Sequence, residues 1–221
     1  MSVFEDRRRL MVESQLRTNK VTDIRVLEAF EEVPREKYVG RDTADLAYID
    51  EDLMLDGGRF ILEPMVFARM VQALELKPAD IVLDLGAALG YSTAILSRFV
   101  QSVVGIESHE EIAARGQSNL IESGVDNAVV LHADLTEGFR AESPYNAIII
   151  EGSVSTVPDA VLGQLAEDGR CVTILRDAPN GPGRVVKYVR AGNSFAHSVL
   201  FDAYSPFLPE FATEKGFDFA V

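Results

Sequence analysis

The sequence predicts an α/β fold: a Rossmann-like, doubly wound and mostly parallel sheet with an N-terminal helical extension and a C-terminal β hairpin. Three observations predict it. From residue 80 onward, short β-rich apolar runs alternate with helical stretches, the pattern of a parallel sheet covered on both faces. A glycine-bearing turn, Asp84-Leu85-Gly86-Ala87-Ala88-Leu89-Gly90, joins the first run to the first helix. After Gly181-Pro182-Gly183 the pattern becomes β alone, which suits a hairpin closing one sheet edge.

The elements follow in chain order. The first 75 or so positions read helical. Val26, Leu27, Phe30 and Val33 recur at helical spacing up to Pro34, and Val66, Met70, Ala73 and Leu74 do so after Pro64, proline being favoured at a helix start. Ile81 to Leu85 reads as a buried strand, followed by Ala94, Ile95, Leu96 and Phe99 on one helix face. Val103 to Ile106 is the next strand; Ser108 and Glu111 then read as a capping box for a helix ending near Gly124. Further strands are expected at Ala128 to Leu131, Ala147 to Ile150 and Arg170 to Leu175, with a helix at Val157 to Leu165. Val185 to Val189 and Phe195 to Tyr204 supply the hairpin. No repeat or low-complexity linker divides the chain. It reads as one domain, with a helical part at 1–78, a ligand-binding core at 79–190 and a strand and tail at 191–221.

Composition narrows the function. The 221 residues carry 21 Lys+Arg against 35 Asp+Glu, a net charge of −14, which opposes a nucleic-acid binder relying on clustered cations. No apolar run approaches the ~20 residues of a membrane span, and the N-terminus lacks a signal-peptide pattern. Cys171 is the one cysteine, and His109, His132 and His197 share no metal-ligand spacing, so neither a disulfide framework nor a metal site is expected. A soluble, cytoplasmic protein is the expectation.

The turn after the first strand carries the chemistry. Gly86 and Gly90 permit a tight turn and close approach of a ligand, at the junction where doubly wound sheets bind nucleotide-like molecules. A dinucleotide fingerprint would read Gly-x-G-x-x-Gly; here only Gly-x-x-x-Gly remains, with Ala87 and Ala88 between. Asp84 would repel a pyrophosphate and attract an ammonium group. The inferred ligand is therefore cationic and free of phosphate, which describes S-adenosylmethionine. Glu107 ends the second strand, where an acid accepts hydrogen bonds from ribose hydroxyls. Asp134 follows the third strand, placed for an adenine amino group, and Glu151 follows the fourth, beside the reacting sulfur. Ala87 and Tyr91 in the turn, Ser108 beside Glu107 and Leu135 beside Asp134 complete the expected set. Tyr91 either closes over the ligand or packs in the core. The aromatic and proline cluster Tyr204 to Phe211 either lines an acceptor pocket or pins the C-terminus.

The chain resembles the protein-L-isoaspartate O-methyltransferases. The likeness runs through Met11-Val12-Glu13-Ser14-Gln15-Leu16, Val26-Leu27-Glu28-Ala29-Phe30, Val33-Pro34-Arg35-Glu36, Ala47-Tyr48, the glycine turn and Gln164 to Arg170. It implies an S-adenosylmethionine-dependent enzyme of the class I methyltransferase fold that methylates a carboxylate of isoaspartyl residues in damaged protein. The departure is at Gly58-Arg59-Phe60-Ile61-Leu62-Glu63-Pro64, where the family usually reads Gly-Gln-Thr-Ile-Ser-Gln-Pro. Phe60 and Leu62 replace the threonine and the serine that the family uses at the substrate carboxylate. Arg59 is placed either to take that carboxylate as a bidentate pair or to pair with Glu63. Two alternatives stay open: a methyltransferase with a more apolar acceptor, and a non-catalytic module that binds the cofactor.

Overall fold

The computed structural model describes residues 2–178 and 181–212. Helix α1 (Val3–Met11) starts at a Ser2–Glu5 capping box and runs on into a π-helical turn, Val12–Leu16. Helix α2 (Ile24–Glu32) is capped by Asp23 and ends before Pro34. The helical reading of this part needs one correction: β1 (Leu53–Met54) and β2 (Phe60–Ile61) form an antiparallel ribbon. Gly57 and Gly58, both at positive φ, make the turn that lets the ribbon fold back. Helix α3 (Pro64–Leu74) begins on its proline as expected.

The main sheet contains β3 (Ile81–Leu85), β4 (Ser102–Glu107), β5 (Ala128–His132), β6 (Tyr145–Val154), β7 (Leu165–Arg176), β8 (Gly183–Ala191) and β9 (Ser194–Asp202). Their order is β5-β4-β3-β6-β7-β8-β9. Strands β3 to β7 pair in parallel, and β8 and β9 add the expected antiparallel hairpin at one edge. Helices α4 (Tyr91–Leu96) and α5 (Glu110–Glu122) connect the early strands. The helix expected over Val157 to Leu165 shrinks to α6 (Asp159–Leu162), because β7 takes up the chain from Leu165. Ser108 does not cap α5; the capping position falls to His109, without a side-chain bond. The apolar core is continuous from Met11 to Phe211, and the C-terminal part expected at 191–221 is described as far as Ala212. No helix among the described residues is long and apolar enough to cross a membrane.

This order has one consequence for function. The chain builds outward from β3 to β5, then crosses back to lay β6 on the other side of β3. The crevice beyond the carboxyl ends of β3 and β6 is the switch point where such sheets bind ligands. The turn at that point is conformationally demanding: Gly86 and Gly90 have φ of 84° and 90°. A Cβ on Gly90 would lie 3.1 Å from the Gly116 carbonyl oxygen. Gly90→Ala is therefore expected to destabilise the protein by roughly 2 kcal/mol, strain and crowding together, read from chemical denaturation.

Candidate functional site

Four acidic side chains were expected at the strand tips, and the fold brings three of them to one place. Asp84, at the end of β3, is fully buried. Its Oδ2 accepts hydrogen bonds from Ser92 Oγ at 2.7 Å and Thr93 Oγ1 at 2.6 Å, while its Oδ1 has no partner. Burial pushes its carboxyl up to about 6, against the two hydroxyls, which hold it down. Glu151 on the adjacent β6 is 5% exposed with Oε1 unpaired. Burial, then repulsion from Asp84, raises it well above the ordinary glutamate range. Glu107 ends β4 and is completely buried. Its Oε2 accepts the Ala88 N–H at 3.2 Å and its Oε1 the His109 N–H at 3.0 Å.

The fourth, Asp134, follows β5. It is exposed past the tip of β5, and its Oδ1 accepts from the Thr136 N–H (2.8 Å) and hydroxyl (2.7 Å). Those bonds hold its carboxyl below the usual range. Leu135 beside it is buried in the core. Tyr91 packs: its ring lies in an aromatic group with Phe30, Tyr38 and Phe67.

Arg59 is the largest surprise. The pairing expected with Glu63 does not form, since Arg59 faces Glu107. Only 1% of its side chain is exposed, and its Nε donates to Glu107 Oε1 at 2.7 Å. Its two terminal nitrogens fork onto Glu210, Nη1 to Oε2 at 3.1 Å and Nη2 to Oε1 at 2.6 Å. Ser108 Oγ bridges the same group, bonded to Arg59 and to Glu210. Glu63 sits instead at the start of α3, where its N–H donates to Asp52 Oδ1 at 2.8 Å. Burial and then the neighbouring Asp52, Asp50 and Glu51 push its carboxyl up to about 7.

Three participants were missed by sequence reasoning. Arg35 is buried beneath the site; its Nε donates to the Ala47 carbonyl at 2.7 Å and its Nη2 to that of Leu62 at 2.9 Å. Its guanidinium lies 4.8 Å from the Tyr91 ring centroid. The Val-Pro-Arg-Glu tetrapeptide was its signal. Leu208 and Glu210 come from the chain beyond β9, and only the aromatic and proline cluster around them drew attention to that segment.

The donor set suits the expected cofactor: an unpaired carboxylate oxygen at β3, an acid at the tip of β4, and a positive-φ turn between them. The space does not stand open. Phe60, Leu62, Phe67, Tyr91, Glu151 and the turn enclose only about 10 Å³, room for about one water, where ligand sites span hundreds of Å³. Phe60 and Leu208 pack over Gly152, their atoms each 2.8 Å from where a Cβ on it would stand.

Comparisons with known proteins agree with this architecture. The sequence model of the family "Protein-L-isoaspartate(D-aspartate) O-methyltransferase (PCMT)" matches residues 6–198. Protein-L-isoaspartate O-methyltransferase 2 of Pelobacter propionicus is 39% identical over 168 residues, covering 76% of this chain and 75% of the relative. The protein-L-isoaspartate O-methyltransferase of Methanoculleus marisnigri is 36% identical over 172 residues, covering 78% and 76%. A solved protein-L-isoaspartate O-methyltransferase superposes with a TM-score of 0.79 at 23% identity, over 90% of this chain and 65% of that one. A PCMT-type crystal structure from Plasmodium falciparum, in complex with S-adenosyl-L-homocysteine, gives 0.79 at 20% identity, over 92% and 98%. With a family match across most of its length and relatives this similar, the chain belongs to the protein-L-isoaspartate O-methyltransferase family.

Proposed function

We propose that the protein transfers the methyl group of S-adenosylmethionine to the carboxylate of an isoaspartyl residue in a protein or peptide, as part of repairing damaged chains in the cytoplasm. The observation that carries this reading is the pair of buried acids, Asp84 and Glu107, at neighbouring strand tips around the Gly86–Gly90 turn. Asp84 would hold the amino-acid end of the cofactor through its unpaired Oδ1, and Glu107 the ribose. Bound there, the cofactor supplies a methyl group on a sulfonium. An acceptor carboxylate forms the new O–C bond as the C–S bond breaks, and an ionised carboxylate needs no proton removed.

What the chain contributes is position and exclusion of water. Arg35 ties the Leu62 carbonyl to the base of the site, so the segment carrying Phe60 and Leu62 is held against the turn. Alignment of acceptor and methyl supplies several kcal/mol without any acid or base. The hydroxyls absent at positions 60 and 62 remove hydrogen bonds to a charged group, each worth about 1.5–3 kcal/mol. A slow enzyme follows, at roughly one to two powers of ten in rate for each lost bond.

Buried Phe60 and Leu62 also favour a second reading, a less polar acceptor. Incubation with methyl-labelled S-adenosylmethionine and an isoaspartyl peptide tests both. Base-labile label on the peptide is the expected result. Label on another compound of a cell lysate, with none on the peptide, would transfer the assignment to that acceptor. Cofactor binding with no label anywhere would leave a binding module.

A further inference from the structure

We propose that Leu208 and Glu210, on the segment following β9, compete with the cofactor for the cleft over the Gly86 turn, so that cofactor binding and release of this segment are one coupled equilibrium. The proposal rests on the S-adenosylmethionine reading above. Two glycines leave bare backbone at the ends of β3 and β6, where a ligand can approach closely. Leu208 takes that space: its methyl carbons lie 3.3 and 3.4 Å from where a Cβ on Gly86 would stand, and its Cγ 2.8 Å from the corresponding point on Gly152. Leu208 is itself buried.

The polar half of the cleft is claimed in the same way. Arg59 satisfies Glu107 Oε1 at 2.7 Å, the group expected to receive ribose hydroxyls, and Glu210 holds Arg59 there with its forked pair. The His109 N–H already uses the same oxygen and the Ala88 N–H the other. A carboxylate oxygen has about two acceptor positions, so Oε1 is full while Arg59 stays. A ribose reaching Glu107 must displace Arg59 or share the one acceptor position left on Oε2. Displacing Arg59 also frees Glu210.

The segment is built to do this while staying attached. Its near half is anchored away from the cleft: the Arg176 guanidinium lies 4.2 Å from the Tyr204 ring and 4.8 Å from the Phe207 ring, and Ser153 Oγ bonds Ser205 at 2.9 Å. Beyond the anchor, Leu208 is held by its N–H to the Ser153 carbonyl at 3.0 Å, and Glu210 by the Arg59 and Ser108 contacts. A cleft that is only fractionally open weakens apparent affinity by that fraction. Loosening the far half should therefore tighten cofactor binding.

The test is calorimetric titration of S-adenosylhomocysteine into the wild type, Leu208→Ala and Glu210→Gln. Each variant is expected to bind roughly tenfold more tightly than the wild type. The ligand should also speed hydrogen exchange at the Leu208 amide of the wild type while amides of β3 and β4 stay protected. Glu210→Gln changes a half-buried side chain to its isostere and carries the test alone should Leu208→Ala fail to fold. Wild-type binding that both variants leave unchanged or weaken, or a Leu208 amide as protected with ligand as without, overturns the competition and leaves the cofactor reading standing. No binding by any of the proteins overturns the cofactor reading, and the competition with it.

Discussion

Arg59→Leu should destabilise the protein by about 3–5 kcal/mol, the usual consequence of removing one partner of a buried ion pair. Glu107 is fully buried, and without the guanidinium it is left with the Ala88 and His109 N–H groups and the Ser108 hydroxyl as donors. Glu210 also loses its forked partner, but it is 23% exposed and can turn to water. The penalty therefore falls mainly on Glu107. A second change, Glu107→Leu in the Arg59→Leu background, should recover most of the loss, because replacing both ions removes both desolvation penalties. Denaturant titration of the two single variants and the double variant reads this directly. Strict additivity would show that the pair is not energetically coupled.

Stability should fall as pH rises from 5 to 8, and Glu151→Gln should remove much of that fall. Both Asp84 and Glu151 are raised above their unfolded values, Asp84 from 3.8 to about 6. An acid shifted upward stabilises the fold fully below its unfolded pKa, and that contribution disappears as pH climbs through the folded one. For Asp84 the window runs from 3.8 to about 6, corresponding to ~3 kcal/mol; for Glu151 it runs upward from 4.5. Replacing Glu151 by glutamine removes a buried carboxyl that burial and Asp84 make costly to ionise. A gain on the order of 1–3 kcal/mol is expected at pH 8, shrinking toward pH 5. Denaturation midpoints at both pH values measure it, and a gain equal at pH 5 and pH 8 would show that folding does not raise the Glu151 carboxyl. Near neutral pH, this pair is a place where the fold tolerates poor local energetics, as binding sites commonly do.

Much of the architecture was legible in the residues. Apolar runs such as Ile81 to Leu83 and Val103 to Ile106 have the pattern of interior parallel strands, and the sheet places them side by side. The acids ending these runs followed from the same logic, because strand ends in such a sheet point toward one crevice. Local rules failed where a long-range partner offered more. Ser108 had the spacing of a helix cap, yet its hydroxyl joins Arg59 and Glu210.

By itself the sequence determined the fold class, the positive-φ turn and the acids at the strand tips, since each depends on short-range periodicity or on one residue's backbone freedom. Only the tertiary structure decided what occupies the crevice. Arg59 meets a partner 48 positions away in Glu107 and another 151 positions away in Glu210. Pairings across such separations are set by how the sheet folds the chain back on itself, which local pattern does not encode. The same holds for Leu208 against Gly86 and Gly152: the glycines announce a space for close approach, and packing determines which group takes it.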